Sequence, residues 1–127
     1  MPKEFERKIT VEEDGFGEFV KKYWPIGLAV AGAGAVGAAI WMTARYLRNK
    51  HIKETEMAKS LEMVEQEAME SLDPTATMLE TGSYLGHVAG QEAADTAMKL
   101  AHSMPDDETR LIMETLGTVA QMEAKKK

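Results

Sequence analysis

One long uncharged run limits the folds that are open to this chain. From Tyr23 to Ala44, 22 residues, no side chain carries a formal charge. A helix rises about 1.5 Å per residue, so roughly 20 apolar residues are enough to cross the hydrocarbon core of a bilayer. Pro25 suits the first turn of such a helix, where its missing N–H costs nothing. The run therefore predicts a transmembrane helix over residues 25–47.

Aromatic and basic side chains lie at both ends of this run. Amphipathic rings prefer the two membrane interfaces, where lysine and arginine also gather on the aqueous side. More basic residues follow the run than precede it, and the positive-inside tendency places the C-terminal region on the matrix or cytoplasmic side. The predicted interface anchors are Tyr23, Trp24, Trp41 and Tyr46.

Helical projection separates the large side chains of the run from the small ones. In lipid, helices associate through small residues that let two backbones approach closely. The small side of this helix therefore predicts packing against another transmembrane helix. The predicted helix-packing face is Gly27, Ala31, Gly34, Ala35 and Ala38.

The same run contains a rival pattern, Gly32, Gly34 and Gly37 in the order G-x-G-x-x-G. In dinucleotide-binding folds this pattern follows a strand and opens a helix, and a second strand ends in an acidic residue about 20 positions later. Glu54 stands at that distance, but the segment RNKHIK before it has one apolar residue and is a poor buried strand. Binding of NAD or FAD at these glycines is the alternative hypothesis, and a buried helix of a water-soluble domain is a third.

The stretch after the run contains no glycine or proline up to and including Asp73. Its apolar residues recur at helical spacing, with glutamates at other positions. The pattern predicts an amphipathic helix over residues 48–72 that continues the span as a stalk, giving one unbroken helix from Pro25 to Leu72. The predicted packing face of the stalk is Met57, Leu61, Val64 and Ala68.

The two ends of the chain complete an all-α prediction, because no stretch alternates as a strand does. Residues 1–24 form an N-terminal segment with a possible short interfacial helix. Asp73 and Pro74 supply a cap and a first helical position, and the acidic region 73–127 that they open predicts two or three short helices.

Composition excludes several kinds of chemistry. The chain has no cysteine, which removes disulfides and thiolate sites. The net charge is −6, and the C-terminal half is the acidic part, which argues against a nucleic-acid partner. No spacing of histidine, carboxylate or serine is typical of a metal site or a catalytic group. We expect no catalytic residue, no metal and no cofactor.

In layout, the chain resembles the single-span accessory subunits of respiratory or photosynthetic complexes. The expected function is that of a non-catalytic structural subunit of a multi-subunit membrane complex, acting in assembly or stability. The expected place is the mitochondrial inner membrane and its respiratory chain, with a thylakoid or bacterial inner membrane as the alternative. The expected partners are the lipid bilayer and the other transmembrane and soluble subunits. A free-standing membrane adaptor would have the same layout.

Overall fold

The computed structural model describes residues 17–29 and 32–126, and every regular element in these ranges is helical. The predicted all-α class is confirmed. In chain order the elements are α1 (residues 17–29), α2 (Ala35–Lys50), α3 (Thr55–Glu70), α4 (Pro74–Ala76), a π-helical turn (Thr77–Thr81), α5 (Gly82–Ala89), α6 (Gln91–Ala101) and α7 (Asp107–Lys125).

The uncharged run is divided between α1 and α2, which form an antiparallel hairpin. A Cβ atom built on Gly27 would lie 3.3 Å from Cβ of Ala38, so the two backbones are close at this point. Gly34 precedes α2 with φ of 66° and ψ of −136°, a backbone conformation that residues other than glycine rarely adopt. The N–H of Gly32 donates to the carbonyl of Met69 at 3.0 Å, which ties the turn to the end of α3.

The predicted single helix over residues 25–47, and its unbroken continuation to Leu72, are wrong. The chain turns first at residues 32–34 and again at residues 51–53, after which α3 folds back along α2. The second turn is closed by a hydrogen bond from the N–H of Glu54 to the carbonyl of His51, at 3.0 Å. Among the helices of the described ranges, none has the combined length and apolar character that a membrane crossing requires.

α2 is the central helix of the bundle, in contact with α3, α5, α6 and α7. Every residue from Gly37 to Ala44 is buried. A helix enclosed in this way has no solvent-facing side on which a charge could sit. Full burial of a large apolar side chain such as Ile40, Met42 or Leu47 contributes about 1.5–3 kcal/mol. The second half of the uncharged run, residues 37–44, therefore lies in the core of the bundle.

Two helices of the C-terminal region begin at aspartate caps. As predicted, Pro74 is the first residue of α4, and the carboxylate of Asp73 accepts hydrogen bonds from the N–H groups of Thr75 and Ala76 at 3.0 and 3.3 Å. Asp106 accepts from the N–H of Thr109 at 2.8 Å and begins α7 in the same way. Each cap satisfies N–H groups that have no partner within the helix.

We predict that Gly86→Ala destabilises the bundle. At this crossing of α5 and α7, a Cβ atom on residue 86 would lie 2.6 Å from the carbonyl oxygen of Ala120, which is backbone and cannot swing away. Such overpacking costs about 1–3 kcal/mol, more than the gain of about 1 kcal/mol from alanine's helix propensity. Urea unfolding measures the difference. Gly17→Ala is the matched control, because a Cβ there meets nothing within 4 Å, and an equal loss in both variants would contradict the close crossing.

Candidate functional site

The surface feature that stands out is an apolar groove between α4, the π-helical turn and α7, with the start of α2 at its side. It has a volume of about 340 Å³, and none of the described residues that line it is charged. We call it the α4–α7 groove. Its lining residues are Val36, Pro74, Thr75, Met78, Leu79, Leu111, Ile112 and Thr115.

Two leucines that line the groove are mostly exposed to solvent. Leu79 is 58% exposed and Leu111 is 65% exposed. Leu72, two residues before Pro74 in the chain, is 84% exposed. Single exposed apolar residues are common on protein surfaces, but several around one concave apolar surface are typical of an interaction site.

Acidic residues border the groove along the chain. Glu80 follows Leu79, and Glu108 lies one helical turn before Leu111 and Ile112. Both glutamates are exposed. The carboxylates give the apolar surface a negative edge, which favours partners with positive charge near their own apolar groups.

A cluster of ion pairs fastens α3 to α2. Arg48 Nε lies 3.1 Å from Glu65 Oε2, and Arg45 lies 3.6 Å from Glu65 Oε1. Burial raises the pKa of Glu65, while Arg48 and Arg45 act in the opposite direction. The side chain of Glu65 is only 5% exposed, and its Oε2 has an ion-pair neighbour but no aligned hydrogen bond. A buried ion pair of this kind contributes little net stability, but removal of one partner would leave the other charge buried without compensation.

A second group of charges holds the α2–α3 turn against α6. Lys50 Nζ lies 2.9 Å from Glu92 Oε2, and His51 Nε2 lies 2.7 Å from Glu92 Oε1. His51 Nδ1 also lies 3.4 Å from Glu54. Burial raises the pKa of Glu92, but hydrogen bonds from Lys50 and His51 outweigh it, and the net pKa is lowered. The same contact raises the pKa of Lys50.

The glycine fingerprint lies in a setting unlike that of a dinucleotide loop. Gly32 and Gly34 form the turn before α2, and Gly37 is buried within α2. Residues 17–29, which would have to supply the preceding strand, are helical. The strand–turn–helix arrangement that cradles a pyrophosphate is thus not formed here. In the described ranges no group of three or more histidine, aspartate or glutamate side chains could hold a metal ion.

The predicted helix-packing face is divided by the turn. Gly27 and Ala38 meet across the hairpin, whereas Gly34 is an exposed turn residue and Ala35 is half-buried. Ala31 lies outside the described residues. The structure therefore brings two of the five residues together, and the contact is within the chain.

The four predicted interface anchors lie along the hairpin. The rings of Tyr23 and Trp41 are 6.0 Å apart between centroids, and the ring of Tyr46 meets Phe19 edge-on at 5.3 Å. Trp24 is 6% exposed. Tilted and edge-on pairs of this kind stabilise a contact beyond the area that they bury. The aromatic residues thus link α1 to α2.

The predicted packing face of the stalk lies inside the bundle. Leu61, Val64 and Ala68 have no exposed area, and Met57 is half-buried. These residues belong to α3, which packs against α2 and α5.

Sequence reasoning did not single out the groove. The signal available was modest: Leu79 and Leu111 are large apolar residues out of phase with the buried Met78, Met113 and Leu116. Recognising them as one surface requires the contact of the π-helical turn with α7, two elements that are far apart in the chain.

No protein-family model matches the chain, and no curated protein or solved structure is significantly similar to it.

We predict that Glu92→Gln lowers stability near neutral pH by about 0.2–1 kcal/mol, the usual range for an exposed ion pair. The folded state lowers the pKa of Glu92. Its contribution is therefore complete above the unfolded-state pKa of a glutamate, and it is lost as pH falls through the lower folded-state value. Unfolding curves measured from neutral to acidic pH should show that the difference in free energy of unfolding between the wild type and Glu92→Gln falls to zero. Asp95→Asn on the exposed side of α6 is the control, and a pH-independent loss in Glu92→Gln would contradict the ionic origin.

Proposed function

We propose that the protein is a non-catalytic accessory subunit that acts in the assembly or stability of a multi-subunit complex. The surface that contacts a neighbouring subunit is the α4–α7 groove. The observation that carries the proposal is the pair of exposed leucines, Leu79 and Leu111, at an apolar groove that the bundle itself does not fill.

Energetics support this use of the groove. Full burial of a leucine contributes about 1.5–3 kcal/mol, and both leucines retain more than half of their exposure in the isolated chain. A partner that covered both would recover a large part of that free energy. The groove would also form the apolar centre of an interface whose rim is polar, which is the usual composition of protein–protein contacts.

We expect Leu79→Glu and Leu111→Glu to release the protein from its complex without unfolding it. Both side chains are exposed, so the charge is tolerated in the free subunit and rejected in a desolvated interface. In cells that express the protein naturally, mild detergent extraction followed by native gel separation should move each variant from a large species to the size of the free chain.

Ile52→Glu is the matched control for this experiment. Ile52 is 71% exposed but lies in the α2–α3 turn and does not line the groove. It should leave the large species intact. If the wild-type protein itself migrates as a free chain, or if all three variants behave alike, the groove is not the assembly surface.

A finer form of the proposal places the complex in a membrane, with the mitochondrial inner membrane as the first place to look. The uncharged run from Tyr23 to Ala44 and the basic residues on both sides of it support this form. It requires α1 and α2 to straighten through residues 32–34 into one helix, at the expense of the core that α2 provides. In that state the partners would include lipid and other transmembrane subunits.

A cysteine pair separates the hairpin from a straight span. In the hairpin, the Cβ positions of residues 27 and 38 are 3.3 Å apart, close to the separation in a disulfide. In a straight helix the same residues would be about 16 Å apart. Because the natural chain has no cysteine, Gly27→Cys with Ala38→Cys gives an unambiguous readout. We expect mild oxidation to cross-link the pair almost completely.

The control pair is Gly17→Cys with Ala38→Cys, since a Cβ on residue 17 meets no other part of the bundle within 4 Å. This pair should stay reduced. Failure of the first pair to cross-link in protein that resists alkaline extraction from membranes would support the spanning form and overturn the hairpin for that fraction.

A further inference from the structure

We propose that the occupant of the α4–α7 groove is an amphipathic helix of another protein, with lysine or arginine beside its apolar stripe. This inference rests on the proposed function and adds the chemical class of the partner. Three properties of α7 and its surroundings support it: an apolar line long enough for a helix, threonines that need no polar partner, and carboxylates on both sides of the line.

The apolar line extends from the groove along the exposed side of α7. Successive helical residues are rotated by about 100°, which places four exposed residues of α7 within an arc of about 60°. From the first to the last, the line is about 16 Å long at 1.5 Å per residue, or three helical turns. We call this line the α7 stripe; its residues are Leu111, Thr115, Thr118 and Met122.

The two threonines of the α7 stripe behave as apolar residues. The hydroxyl of Thr115 donates to the carbonyl of Leu111 at 2.8 Å, and the hydroxyl of Thr118 donates to the carbonyl of Glu114 at 3.1 Å. Since both donors are used within α7, their burial would leave no N–H or O–H without a partner. Their methyl groups remain available for an apolar contact. The stripe and the groove therefore form one surface suited to the apolar face of a helix.

Charge selects the partner. Glu108 and Glu114 lie about 60° from Leu111 on opposite sides of the α7 stripe, and Glu80 follows Leu79 on the opposite wall of the groove. All three carboxylates are exposed. Arg110 lies 4.0 Å from Asp107, and the exposed Lys125 and Lys126 lie past Met122, so the acidic border belongs to the groove end of the α7 stripe. A partner helix with basic residues beside its apolar stripe would face this border with complementary charge.

The same border disfavours two other occupants. A second copy of the chain, joined groove to groove, would place one set of carboxylates beside an identical set. The anionic surface of a membrane would be repelled in the same way. A basic amphipathic helix satisfies both the apolar surface and its charge.

Fluorescence anisotropy with two synthetic peptides tests this assignment. Both peptides have about 18 residues, enough for a stable helix of several turns, with leucines at helical spacing. One carries lysines beside the leucines, and its twin carries glutamates. We expect the full chain to bind the lysine peptide with micromolar affinity and the glutamate peptide at least about tenfold more weakly, with the difference reduced at high salt.

Variants then locate the contact. Leu111→Ser should reduce binding of the lysine peptide about tenfold or more, and Glu80→Lys with Glu114→Lys should reverse the preference between the peptides. The matched control is Glu67→Lys with Glu70→Lys, which makes the same change of net charge on the exposed part of α3 and should leave the preference unchanged. Circular dichroism of each variant establishes that the fold is retained.

Several outcomes would overturn the partner assignment: equal binding of the two peptides, reversal of preference by the α3 control, self-association that Leu111→Ser abolishes, or groove-dependent binding to anionic vesicles. These results are distinct from failure of the proposed function. If Leu79→Glu and Leu111→Glu release the protein from its native complex while the two peptides bind equally, the groove remains an assembly surface and only the class of its partner is wrong.

Discussion

Burial of the middle of α2 on all sides is the constraint on which the rest of the structure depends. Residues 37–44 are enclosed by the surrounding helices, so a single charge among them would need a buried partner that the small residues nearby cannot supply. The one hydroxyl in this stretch, that of Thr43, donates to the carbonyl of Ala39 at 2.9 Å and so requires no outside partner. The charges begin at Arg45, where α2 approaches the edge of the bundle. There, Arg45 and Arg48 form ion pairs with Glu65 of α3.

Close packing between the helices is achieved with small residues. Gly27 against Ala38 joins α1 to α2, and Gly86 against Ala120 joins α5 to α7. Short side chains at the crossings bring helix axes together, which lets a chain of modest length enclose a complete central helix. The larger apolar residues are then distributed between the core and the outer surface. Two of those left outside, Leu79 in the π-helical turn and Leu111 in α7, line the groove, so part of the apolar surface stays uncovered.

The sequence was sufficient for the class of structure and for several local features. Helical spacing indicated the face of α3 that is buried, and Asp73 with Pro74 indicated where a new helix begins. The two turns were missed for different reasons. At residues 32–34 the glycines that allow a turn are also common in membrane helices, and an apolar run that is buried in a protein has the same composition as one buried in lipid. At residues 51–53 nothing local forbids a helix, and the turn is held by distant contacts with α6.

The contact between His51 and Glu92 shows why such a turn escapes local reasoning. The two residues are 41 positions apart, and their side chains meet only because α6 returns across the end of α2. In an isolated segment, Lys50 and His51 would continue a helix at little cost. In the bundle, the backbone turns, and both side chains pair with the carboxylate of Glu92. Basic residues that suggested a membrane flank therefore have a second use, as the ends of charged contacts between helices. An orientation inferred from those charges depends on their being free for lipid, and in this structure Arg45, Arg48 and Lys50 pair with carboxylates of the chain itself.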